Sequence, residues 1–153
     1  MKISEPIVKE IPAVKVLSKR GKGLTNNTFP HIIGELMGQI HRSENAKIAG
    51  PPMYICYDEV FNPKEVNFEI GFPISGELNV DSGFEVHTLP QGKIVSIMCT
   101  GPYSKLKKAY EKLFDFVKSQ GYQINGQLRE IYHSNPQEIS EDQLVTELQI
   151  PIT

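Results

Sequence analysis

Cysteine is scarce: two thiols in 153 residues, Cys56 and Cys99, rule out a disulfide scaffold. Both lie in apolar runs that suit buried structural thiols, and with an opening MKISEP that lacks a secretory pattern they predict a reducing, cytoplasmic setting. Long apolar runs are also missing. None approaches the roughly 20 residues of a membrane helix, so no membrane span or membrane partner is expected. Nor is there an excess of basic charge. Sixteen Lys and Arg stand against 18 Asp and Glu, a net charge of -2, which argues against direct nucleic-acid binding. The Lys105, Lys107 and Lys108 cluster reads as the solvated face of a helix.

Recognisable catalytic signatures are missing too. The sequence has no G-x-S-x-G, no phosphate-binding Walker loop and no dinucleotide fingerprint, so no cofactor is expected. Its four histidines, His31, His41, His87 and His133, fall on separate elements without H-x-x-x-H or C-x-x-C spacing, so no metal site is expected either. What remains is one ordinary globular domain over residues 1–153. A chain of this size buries about 68 to 70% of its unfolded surface and needs no metal or disulfide staple.

Within that domain the sequence repeats itself. Val8-Lys9-Glu10-Ile11-Pro12 resembles Val86-His87-Thr88-Leu89-Pro90 at a shift of 78 (90 minus 12), and Glu69-Ile-Gly-Phe-Pro-Ile resembles Glu147-Leu-Gln-Ile-Pro-Ile at the same shift. Between them each half carries a helical stripe: Phe29, Ile32, Ile33, Leu36, Met37 and Ile40, then Leu106, Ala109, Tyr110, Leu113, Phe114 and Val117. Pro30 suits a first helical turn, Ser104 an N-cap, and Gly121 a stop. Short strands follow over 53–58 and 128–134, and the last strand of each half alternates apolar with polar residues. The expected architecture is α+β: duplicated β-α-β-β units over residues 5–76 and 83–153, with antiparallel sheets, pseudo-twofold symmetry and one helix on each apolar sheet face. The polar faces are expected to stay open and to meet in a central ligand cleft.

Period 2 along 128–134 puts Leu128, Glu130 and Tyr132 on one face and Arg129, Ile131 and His133 on the other. The glycines Gly50 and Gly126 align the halves so that Tyr54 corresponds to Glu130 and Cys56 to Tyr132. A carboxylate held among aromatic rings away from water favours a flat organic cation that pairs with the charge and stacks on the rings. Tyr54 and Tyr132 are the expected walls, with Glu147, Cys56 and Tyr103 at the rim or in the packing. If the pocket is empty, burial raises the carboxyl toward neutrality, and Glu130 with Tyr132 or Tyr54 becomes a general-acid pair. Two readings stay open at this point. A tyrosine here is also an ordinary packing residue, and Glu130 has a plain alternative as an ion-pair partner of Arg129 or Lys93.

Taken in order, Gly101-Pro102-Tyr103, Glu130-Ile-Tyr132-His-Ser-Asn-Pro136 and Thr146-Glu147-Leu-Gln-Ile-Pro151 resemble the GyrI-like small-molecule-binding domain, the BmrR-type effector-binding half of multidrug-responsive transcription activators. The resemblance spans nearly the whole chain. It implies a duplicated antiparallel α+β fold, a cleft for hydrophobic or cationic compounds, and Glu130 as the acidic ligand residue. Standalone members include hydrolases that open cyclopropane-containing natural products with a glutamate and a tyrosine, and proteins that bind DNA gyrase. With its first strand at the start of the sequence, this chain resembles a standalone member. It departs from many relatives in having no tryptophan, with Phe116 in the helix region where one is common.

Overall fold

The computed structural model describes residues 1–58 and 62–153. In chain order its elements are β1 (Lys2–Ile3), β2 (Ile7–Ile11), β3 (Val14–Lys22), α1 (Thr28–His41), β4 (Lys47–Ile48), β5 (Met53–Cys56), β6 (Asn67–Ser75), β7 (Glu85–Leu89), β8 (Gly92–Thr100), a 3-10 turn (Tyr103–Lys105), α2 (Lys107–Ser119), β9 (Leu128–Tyr132), a second 3-10 turn (Glu141–Gln143) and β10 (Val145–Pro151). All strand pairs are antiparallel, so the class is α+β as expected.

The residues gather into two compact units, Ala13–Pro90 and Met1–Pro12 with Gln91–Thr153. In the first, the strand order is β5-β6-β3-β7, with β4 also on β6. In the second, it is β9-β10-β8, and β1 and β2 lie in succession along the free side of β8. The compact units therefore differ from the linear halves by an exchange of early strands: β2 joins β8, and β7 joins β3. Pro12 and Pro90 directly follow β2 and β7, at the two places where the chain changes unit.

Each helix buries the expected stripe with local exceptions. On α2, Ala109, Leu113 and Val117, with Leu106 ahead of them, pack on Val95, Ile97, Cys99, Leu148, Ile150 and Ile152. Each of the leucine, isoleucine and valine side chains contributes about 1.5–3 kcal/mol by leaving water. Phe114 is exposed, and Phe116 takes a place against the core instead. Ser104 falls inside the first 3-10 turn, which places Leu106 rather than Ser104 at the start of α2. On α1, Met37 is exposed and Gln39 is buried, its amide satisfied by Asp81 at 2.9 Å and 3.1 Å. Gly121, at φ +74°, ends α2 as its sequence position predicts. Gly76 closes β6 at φ +85°, where a Cβ would stand 1.9 Å from the Asn45 carbonyl oxygen.

The polar sheet faces are not open. Glu69, Ser18, Glu147, Ser96 and Gln149 are all buried, contrary to the solvated face that alternation suggests. Alternation separates apolar from polar positions but carries no information about cover. Here the buried carboxylates accept hydrogen bonds from serines of their own sheets.

Candidate functional site

Register fixes the surroundings of Glu130. Across β10 it faces Leu148, which in turn faces Ile97 of β8, so Glu130 shares the face on which α2 packs. One step along, Tyr132 faces Thr146, and Thr146 faces Cys99. This corrects the expectation that Glu130 projects from the helix-free face: strand parity shows which residues go together, and the core residue Leu148 decides on which side.

Both oxygens of Glu130 accept hydrogen bonds. Tyr132 donates its hydroxyl to Oε1 at 2.9 Å, and Tyr110, from α2, donates to Oε2. Tyr103 meets the Tyr132 ring edge-on, with centroids 5.5 Å apart and planes at 72°. Burial pushes the Glu130 carboxyl up to about 7, against the opposing effect of the Tyr132 hydrogen bond. The Cys99 thiol is pushed up to about 11, by burial first and by the Glu130 charge second, and Tyr103 is raised for the same two reasons. Cys99 is therefore an inert thiol rather than a nucleophile. Among the described residues no basic side chain is seen in an ion pair with Glu130.

Glu147 takes the other face of the same sheet, and Tyr54 and Cys56 stand on a strand of the other unit. Glu147 precedes Leu148 and so points to the opposite face of the sheet from Glu130. There it binds Lys9 at 2.8 Å, Ser96 at 2.6 Å, His133 at 3.0 Å and Gln149 at 3.0 Å. Desolvation would raise this carboxyl, but the hydrogen bonds outweigh it and hold the group down at about 2. It is a structural ion rather than a rim residue. Tyr54 and Cys56 belong to β5 in the Ala13–Pro90 unit. Tyr54 is buried and stacked on Phe68 with centroids 6.1 Å apart, and the Cys56 thiol reaches the Asp58 carbonyl at 3.5 Å. Of the sequence candidates, Glu130, Tyr132 and Tyr103 come together, and Tyr110 and Cys99 join them unforeseen. The missed signal was Tyr110 itself, since a tyrosine in a buried helical stripe still has a hydroxyl that needs a partner.

A second buried carboxylate occupies the Ala13–Pro90 unit. Glu69 accepts hydrogen bonds from Ser18 and Tyr57 and contacts His87. Burial raises its carboxyl, but these three partners win and leave it lowered, while Tyr57 is pushed up to about 12 by burial and by Glu69. Glu69, Glu85 and His87 bring three potential metal-ligand atoms within 4.8 Å of one another. Spacing along the chain misses this group because its members come from β6 and β7, on either side of β3. Arg20 stands 3.6 Å from Glu85 and already supplies positive charge there. A polar cavity of about 450 Å³ near the end of α1 is lined by Gln39, Arg42, Glu77 and Asp81 among others. It has no aromatic wall and none of the Glu130 residues, and Arg42 and Asp81 in it satisfy each other at 2.9 Å.

The chain belongs to the GyrI-like small molecule binding domain family, whose sequence model matches residues 4–153. Its fold matches the crystal structure of the EcmrR C-terminal domain with a TM-score of 0.91 at 20% identity, covering 100% of this chain and 99% of that one. In the EcmrR–DNA complex the TM-score is 0.89 at 20% identity, and the match covers 98% of this chain but only 57% of that chain. A hydrolase encoded by lin2189 from Listeria innocua matches at TM-score 0.74 and 13% identity, over 97% and 92% of the two chains. SAV2435 bound to tetraphenylphosphonium matches at 0.64 and 12%, over 98% and 94%. A search of the curated proteins gives no match. Among the described residues, no helix is long and apolar enough to cross a membrane.

Proposed function

We propose that this chain captures hydrophobic, cationic or planar small molecules at Glu130, for sensing or sequestration. The observation that carries the reading is a half-buried carboxyl hydrogen-bonded to Tyr110 and Tyr132, with Tyr103 against the Tyr132 ring and no basic side chain paired to it among the described residues. Such a group is short of positive charge, and an organic cation supplies it while covering the rings. That a relative is described with bound tetraphenylphosphonium supports the same chemistry. The unpaired cysteines agree with a cytoplasmic setting. Duplication from one ancestral module is supported by the matched chemistry of Ser18 with Glu69 and Ser96 with Glu147, each pair member 78 positions (96 minus 18, 147 minus 69) from its counterpart.

Calorimetric titration with tetraphenylphosphonium tests the binding reading. Glu130→Gln is expected to weaken the affinity roughly tenfold to a hundredfold, the scale of one charge-assisted contact. Equal affinity of the two proteins would refute a charge-recognition role. A second reading, hydrolysis, is favoured by one observation: a carboxyl near neutrality that already touches two hydroxyls can donate a proton to a leaving oxygen or carbon. Incubation with cyclopropane, ester and lactone electrophiles followed by mass analysis separates turnover from binding, and unchanged substrates would remove the hydrolase.

A further inference from the structure

We infer that ligand capture at Glu130 is an exchange, in which an arriving cation expels one proton from the site to solvent. The inference rests on the binding reading above and adds its regulation: the site is filled as the surroundings turn alkaline and emptied as they turn acid.

The geometry supplies the reason. A carboxylate needs positive charge or full hydration around it, and Glu130 is half-buried with no cation among the groups that act on it. Among the described residues of its own unit, the side chains placed beside it are neutral: the Cys99 thiol from β8, Tyr103 from the 3-10 turn, Tyr110 from α2, Tyr132 from β9 itself, and Leu148 from β10. The two tyrosine hydroxyls satisfy hydrogen bonding but bring no net charge. Without a ligand the site therefore approaches neutrality by holding a proton, which fits a carboxyl lifted to about 7. A fixed cation removes the need for that proton. The carboxyl O–H bond then breaks, its electron pair stays on Glu130, and the proton passes to buffer. This contrasts with Glu147, whose charge is matched permanently by Lys9.

Tetraphenylphosphonium is the appropriate probe because its charge does not change with pH. For a site competent only when ionised, apparent affinity scales with the ionised fraction, so binding is expected to tighten about thirtyfold from pH 5.5 to pH 8. Calorimetry in two buffers of different ionisation enthalpy is expected to report about one proton released per cation at pH 5.5, declining toward zero above pH 8. Glu130→Gln is expected to abolish both the release and the pH dependence. Tyr132→Phe, which removes a hydrogen bond that favours the charged form, is expected to move the midpoint to higher pH. A purely structural role for that hydroxyl would weaken binding equally at every pH. Binding by the wild type without proton release, at an affinity constant over this range, would overturn the exchange and leave the binding reading standing. No binding at any pH would overturn both.

Discussion

Glu147→Ala is expected to lower the free energy of unfolding by about 3–5 kcal/mol, the usual loss when one member of a buried ion pair is removed. The carboxylate is nearly inaccessible and gathers Lys9, Ser96, His133 and Gln149 from β2, β8, the end of β9 and β10 itself. Removing it leaves Ser96 and Gln149, both buried, without their shared acceptor. The effect has a definite pH signature. Because the folded carboxyl titrates at about 2 and the unfolded one near 4.5, the contribution is complete above pH 4.5 and disappears as pH falls through about 2. The shift corresponds to roughly 3 kcal/mol. Urea unfolding of wild type and variant between pH 2 and 6 checks this: the curves should converge at the acid end. A loss under about 1 kcal/mol at pH 6 would mean that the network is not a stabilising lock.

Glu130→Gln is expected to do the reverse. Here the folded carboxyl titrates at about 7, above its unfolded value, so the folded state binds more protons between pH 4.5 and 7 and stability falls as pH rises through that window. Glutamine keeps the shape and cannot ionise. The variant should match wild type near pH 4.5 and exceed it at pH 8 by up to roughly 3 kcal/mol, the value of the shift. Thermal or urea unfolding at the two pH values measures the difference. A variant less stable than wild type at pH 8 would show that the charge is welcome in the fold. Two glutamates on neighbouring strands are thus expected to have opposite effects on stability at neutral pH: one helps to hold the fold, and the other weakens it.

Much of this was legible in the sequence. Helical spacing located both helices, period-2 alternation grouped Glu130 with Tyr132, and the glycine and proline positions marked most boundaries. The failures share a physical cause: local pattern reports neighbours along the chain and not across it. Tyr110 occupies a core position in the helical stripe, which hides that its hydroxyl finds Glu130 on a strand distant in sequence. The face taken by Glu130 depended on register with Leu148. Likewise the resemblance between Val8–Pro12 and Val86–Pro90 gave no sign that each strand pairs with the sheet of the other half. Gln39 and the buried serines show the same limit, since a polar residue can enter a core once a distant partner satisfies it.

That crossing of strands bears on how the molecule is made. Ala13–Pro90 is a continuous stretch, so all its pairings can close while later residues are still being synthesised. The other sheet must recruit its border from a segment that precedes this unit, and β2 has to wait until β8 has emerged. Such a long closure is slow to nucleate. During translation the nascent chain carries an early finished unit and an idle leading ribbon, and the Glu130 site becomes available only after β9 and β10 complete the late sheet.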